Sequence, residues 1–111
     1  MGATKEQLFT DHQTRLAAYA KALAHPARIA ILQQLSKLDS CVCGDLVTDI
    51  GLAQATVSQH LKELKKAGLI QGTIEGVRVC YCIDPEALTI LKKELNLLFD
   101  SLQSCKSTEC C

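Results

Sequence analysis

The chain has 111 residues, with twelve basic side chains balancing twelve acidic ones. That is the length of one domain with one core, and the zero balance excludes a strongly basic coat for nucleic acid. A hydrophobic content of 48% excludes an acidic disordered tail protein, and the unusual count is cysteine, seven against two Phe, two Tyr and no Trp. An odd number of cysteines excludes a fully paired disulfide framework within one chain. The opening Met1-Gly2-Ala3-Thr4-Lys5-Glu6 leads straight into polar sequence. No apolar run approaches the ~20 residues of a membrane span. The expectation is a cytoplasmic protein with no membrane partner and with reduced thiols available for metal or redox chemistry.

Leu16, Tyr19, Ala20 and Leu23 recur at helical spacing, which predicts an amphipathic helix over about 7–24. His25-Pro26 breaks it, and a second helix follows over about 26–37, started by a proline whose fixed φ suits the first turn. Asp39 to Gly44 reads as a connector. A short helix over about 44–50 ends at Gly51, and a fourth over about 54–67 ends at Gly68. The period then changes. Ile70–Ile74 and Val77–Ile83 read as two strands around Glu75-Gly76, with Val79, Tyr81 and Ile83 on one face and Arg78, Cys80 and Cys82 on the outward one. A last helix over about 85–103 carries Leu88, Leu91, Leu95, Leu98 and Leu102 as a heptad seam, with Ile90, Leu97 and Phe99 off it. Such a helix can serve its own core and a partner at once. The fold expected is mainly α with a small β-hairpin, a winged helix-turn-helix in the order α-α-α-α-β-β-α. Residues 1–103 form that domain and 104–111 a flexible Cys-rich tail.

With Val57, Leu61 and Leu64 turned inward, the fourth helix presents Ala55, Thr56, Gln59, Lys62 and Lys66 on its opposite face. Gln can pair with adenine in the major groove, and Thr offers a hydroxyl and a methyl to a base edge. Gln54, Ala55, Thr56, Ser58, Gln59, His60 and Lys62, with Arg78 on the wing, are the candidate DNA-binding residues. His60 sits near the apolar face and reads first as a hydrogen-bonded packing residue, and second as a phosphate contact. Residues 54–78 hold four basic against two acidic residues, and residues 84–111 hold three against five. One copy therefore meets few phosphates, and two copies on half-sites about 34 Å apart are the natural remedy. A polar, solvated helix face is the bland alternative.

Leu23-Ala24-His25-Pro26-Ala27-Arg28-Ile29, then Ala53-Gln54-Ala55-Thr56-Val57-Ser58-Gln59-His60-Leu61-Lys62, Ala67-Gly68-Leu69-Ile70 and Gly76 to Asp84, resemble the ArsR/SmtB family of winged-helix repressors. The resemblance spans nearly the whole chain. It implies a homodimer through the first and last helices, bound to double-stranded operator DNA and released by a metal or metalloid. It implies no enzyme.

The cysteines fall into three groups. Cys41-Val42-Cys43 resembles the pair that precedes the third helix in the family's arsenic- and cadmium-responsive members. The match is partial, because Gly44 intervenes and Val47 stands where a third cysteine would fall. Cys105, Cys110 and Cys111 lie within the last seven residues. Three nearby sulfurs suit a soft trivalent metalloid better than oxygen or imidazole donors do. Cys80 and Cys82 read as small, semi-exposed wing residues. The last helix has no His, which argues against the family's Asp/His site for zinc, nickel or cobalt. The candidate metal ligands are thus Cys105, Cys110 and Cys111, joined by Cys41 and Cys43. The inducer expected is trivalent arsenic or antimony, an organoarsenical included, with cadmium or zinc second. A thiol redox or persulfide switch on the same fold is the alternative. A thiol enzyme is disfavoured, since the chain lacks Cys-x-x-Cys and a βαβ pattern. A metal-buffering protein would lack salt-sensitive binding to a palindromic duplex.

Overall fold

A computed structural model describes residues 8–37, 41–43, 50–75 and 78–102, with the backbone alone for residues 42, 43, 74, 75 and 78. Helix α1 (Asp11–Leu23) is started by Thr10, whose side chain accepts from the Gln13 backbone while the Gln13 side chain returns the bond, a capping box. Helix α2 (Pro26–Ser36) has proline in its first turn and His25 as its N-cap, the imidazole accepting from the Ala27 N–H at 3.0 Å. Strand β1 (Val42–Cys43) follows. The short helix expected over 44–50 lies outside the described residues except for Ile50, which packs against the core.

Helix α3 (Gln54–Lys66) carries Val57, Leu61 and Leu64 into the core, as its spacing predicts. Its end is a Schellman motif. Gly68 takes φ +84°, its N–H bonds Lys65 O at 2.9 Å, and the Leu69 N–H bonds Leu64 O at 3.1 Å. Leu69 and Ile70 are then buried at once, so the turn delivers the chain into strand β2 (Ile70–Glu75) already seated on the core. Strand β3 (Arg78–Ile83) pairs antiparallel with β2, from Ile70 opposite Ile83 to Glu75 opposite Arg78. Asp84 caps helix α4 (Pro85–Ser101) by accepting from the Glu86 and Ala87 N–H groups, and its own N–H bonds Leu69 O. The wing and the last helix are thereby tied to the end of α3.

Two expectations change here. The connector is not all loop, because Val42 and Cys43 pair with Tyr81 and Cys80, making a three-stranded sheet in the order β1-β3-β2. Without β1 the outer edge of β3 would be an open row of N–H and C=O groups. Consequently Cys80 is not a semi-exposed wing residue. It is 0% exposed, and Cys82 is half-buried. Tyr81 and Ile83 pack on the core as expected, while Val79 is exposed.

Helices α1 and α4 pack together around a buried acid. Glu94 lies on the inward face of α4 beside Leu91 and Leu95, only 5% exposed. It accepts from Arg15 Nη1 at 2.8 Å and meets His12 Nδ1 closely. The His12 hydrogen bond first, then Arg15, holds its carboxyl below the usual carboxylate range against the opposing effect of burial. The seam itself is split. Leu91 is buried and Leu95 and Leu98 are half-buried, whereas Leu88, Leu97, Phe99 and Leu102 are exposed, as are Leu8 and Phe9 ahead of α1. The boundary expected at 103/104 falls among residues that are not described.

Leu64 is 0% exposed at the centre of the packing between α3 and the rest. Leu64→Ala should destabilise the domain by about 2–5 kcal/mol, read as a lowered urea midpoint with little change in slope.

Candidate nucleic-acid interface and thiol array

The reading helix is placed by a clasp at the α1–α2 junction. Arg28, half-buried, donates from Nε to His60 Nδ1 at 3.2 Å, and from Nη1 to the Lys21 and Ala22 carbonyls at 3.3 Å each. Those carbonyls belong to the last turn of α1, where the regular i to i+4 bonds run out, and Lys21 O also accepts from the Ala24 N–H at 3.2 Å. His25 stacks obliquely on His60, ring centroids 4.3 Å apart. Because Nδ1 of His60 is an acceptor, the imidazole is neutral with its proton on Nε2. Burial, then the nearby His25 and Arg28, push its pKa below the ordinary histidine range.

His60 is buried, whereas its neighbours Ser58 and Gln59 on α3 are exposed. Its burial, 8% exposed, comes from its position next to the Val57–Leu61–Leu64 face, and it serves as the hydrogen-bonded packing residue that was its first reading. The other candidates on α3 (Gln54, Ala55, Thr56, Ser58, Gln59 and Lys62) are exposed, and Lys65 and Lys66 beside them are exposed too. Gln59 Nε2 donates to Glu63 Oε1 at 3.4 Å, one helical turn on. The helix thus shows small and amide side chains toward its N-terminus and lysines toward its end. Arg78 opens β3, and its side chain lies outside the description. The Arg28–His60 clasp was missed as a site. Its only signal was the His25-Pro26-Ala27-Arg28 string, which periodicity does not explain. Glu94 was missed too, though a charged residue inside an apolar seam is a readable sign.

The thiols assemble differently from their grouping in sequence. Cys41 is joined to Cys82 by a disulfide, with a Cα separation of 4.5 Å. Cys43 stands opposite Cys80 in the strand register, and Cys80 is also disulfide-bonded. Two pairs remote in sequence therefore meet across β1 and β3, where reduced thiols in separate groups were expected. Cys105, Cys110 and Cys111 lie outside the described residues. With Cys41, Cys80 and Cys82 held in disulfides, no three His, Cys, Asp or Glu side chains among the described residues stand gathered around a metal position. Also among them, no helix is long and apolar enough to cross a membrane.

A helix with an exposed polar face, backed by a β wing, is the arrangement of a DNA-binding regulator. The family model for bacterial regulatory proteins of the arsR family matches residues 25–71. The chain is 36% identical over 75 residues to the Escherichia coli HTH-type transcriptional regulator YgaV, covering 68% of this chain and 76% of that one. It is 32% identical over 100 residues to the arsenical resistance operon repressor of Staphylococcus xylosus, covering 86% and 95% of the two chains. The fold matches a solved homodimeric winged helix-turn-helix DNA-binding domain from Mycobacterium bovis, described as a possible ArsR-family regulator. There the TM-score is 0.66 at 27% identity, covering 89% of each chain. The chain belongs to the ArsR family of winged-helix transcriptional regulators, a family of DNA-binding repressors and not of enzymes.

The neutral, buried His60 carries a pH consequence. Its folded pKa lies below the unfolded value of about 6.5, so the unfolded chain binds the proton more readily below that pH. The contribution is fully present above pH 6.5 and is lost as pH falls through the folded pKa. Urea unfolding at pH 7.5 and 5 should show lower stability at the acid end. In His60→Gln the pH difference should shrink, while its stability at pH 7.5 falls because Arg28 loses a well-placed acceptor.

Proposed function

We propose that the protein is a cytoplasmic repressor that binds its operator as a homodimer and is released when trivalent arsenic or antimony binds its cysteine thiolates. The observation that carries the reading is the pairing of an exposed Gln/Thr/Lys face on α3 with cysteine sulfurs that converge, as a disulfide that reduction opens to thiolates, on the connector that leads to it. The donor chemistry fits, since the groups that meet are sulfur and soft thiolates select soft ions. An S. xylosus relative is named for arsenical resistance, which agrees with this choice. The sequence nominates Cys105, Cys110 and Cys111 as ligands, with Cys41 and Cys43 beside them.

The exposed Leu88, Leu97, Phe99 and Leu102 of α4, and Leu8 and Phe9, supply apolar surface for a second copy. Two copies set two reading helices on half-sites about 34 Å apart. Gln59, Thr56 and Gln54 meet base edges in this reading, Ser58 and Ala55 line the approach, and Lys62 and Arg78 meet phosphates. The M. bovis neighbour is homodimeric, which supports the assembly.

Ligand binding need only shift operator affinity by about 5- to 150-fold, the range of ordinary allosteric coupling of 1–3 kcal/mol. A second reading, thiol redox sensing, is favoured by the Cys41–Cys82 bond. Oxidant alone, without metalloid, would then release the DNA.

The decisive test is a release titration on a palindromic duplex by fluorescence anisotropy, with arsenite, antimonite, methylarsenite, cadmium and zinc. Arsenite or antimonite should release the reduced protein at the lowest concentration. Release by none of the five would sink the reading. On the DNA side, Lys62→Ala should weaken binding to all sequences alike. It should lower the slope of log affinity against log salt by about one per bound chain. Gln59→Ala should relax base preference at one position of each half-site, costing about 1–3 kcal/mol there.

A further inference from the structure

We infer that the β1–β3 strand pair is a trivalent-metalloid site in its own right, built from Cys41, Cys82 and Cys80 and separate from the tail cluster. The inference rests on the reading of the protein as a repressor released by a thiol ligand. It assigns that ligand a place that the sequence grouping does not suggest.

Cys41 and Cys82 face each other with Cα atoms 4.5 Å apart. That is the spacing of a non-hydrogen-bonded antiparallel pair, about 4.5 Å, in which opposed side chains approach most closely. Cys80 precedes Cys82 by two residues on β3, so the strand's alternation puts both on one face, roughly 6.7 Å apart along the strand. Rotation about χ1 can bring a third sulfur toward the pair. Cys43 occupies the register position opposite Cys80. Three sulfurs satisfy a trivalent metalloid, which keeps a lone pair in its remaining direction, whereas structural zinc takes four ligands.

The site opens by reduction. A dithiol reductant loses two hydrogens and becomes its own disulfide; the Cys41–Cys82 S–S bond breaks and each sulfur takes one hydrogen. A second equivalent of the reductant opens the disulfide of Cys80 in the same way, each of its two sulfurs taking one hydrogen. Arsenous acid then exchanges hydroxide for thiolate. Each As–O bond that breaks releases a water carrying the thiol's proton, and an As–S bond replaces it, with no change in oxidation state.

The position couples to DNA binding. Cys41 and Cys82 are 41 residues apart in sequence, and the loop they close contains α3 and β2. β3 is hydrogen-bonded to β2, and β2 packs on α3. A metalloid bridging β1 and β3 therefore fixes the connector before the reading helix against the wing behind it.

The experiment compares the full-length reduced protein with Cys82→Ser, Cys80→Ala and the tail triple variant Cys105→Ser/Cys110→Ser/Cys111→Ser. The readouts are arsenite-induced DNA release, sulfur-to-arsenic ultraviolet absorption, and mass-spectrometric mapping of thiols that arsenite shields from iodoacetamide. Operator binding before arsenite shows that each variant is folded. The expected result is that arsenite shields Cys41, Cys80 and Cys82, and that the tail triple variant still releases. Cys82→Ser should need at least about tenfold more arsenite, a loss within the usual coupling range. If Cys82→Ser and Cys80→Ala release like wild type and only the tail thiols are shielded, the sheet site is wrong while the repressor reading stands. If wild type is not released by arsenite, the repressor reading itself fails. Should Cys80→Ala not bind operator, the shielding map on wild type and Cys82→Ser decides alone.

Discussion

Arg28 is the residue on which the placement of the reading helix depends. It serves three acceptors at once, the His60 ring nitrogen and two carbonyls at the end of α1. A planar guanidinium can do this from one position, and an ammonium on a flexible stem cannot hold the same fork. The carbonyls are the negative end of a helix dipole, so the cation is favoured there on electrostatic grounds as well. The cost falls on His60, which must stay neutral among His25 and Arg28. The apolar face of α3 supplies the burial, and the clasp supplies direction.

The other end of α3 is fixed by different means. The Schellman turn at Gly68 reverses the chain so that Leu69 and Ile70 enter the core beside Leu64. Leu69 O then accepts from Asp84, whose side chain starts α4. One short hydrogen-bonded bridge thus sets both the wing's root and the origin of the last helix. The proposed dimer surface and DNA surface share this support, so a change at one reaches the other through few bonds.

Most of this was legible where one local rule decides. The inward triad of α3, the glycine stop at Gly68, the proline starts at Pro26 and Pro85 and the two wing strands all follow from period and cap chemistry. What escaped is what depends on a distant partner. A two-residue strand has no alternation to read, and Val42–Cys43 is a strand only because β3 offers it an edge. The burial of Cys80 follows from that pairing and is equally invisible locally. Glu94 could be seen as an anomaly on an apolar face, but His12 and Arg15 lie about eighty residues away, with separations of 82 and 79.

The sheet pairing also changes what the cysteine count means. In sequence, three groups of thiols compete for the role of sensor, and the tail wins on number alone. In space, two of those groups merge across β1 and β3. A bond between the two strands closes a loop that holds the reading helix, and its making or breaking must alter the freedom of that helix. Coupling demands a differential contact between the bound and released states. The array on the sheet has that contact built into its topology.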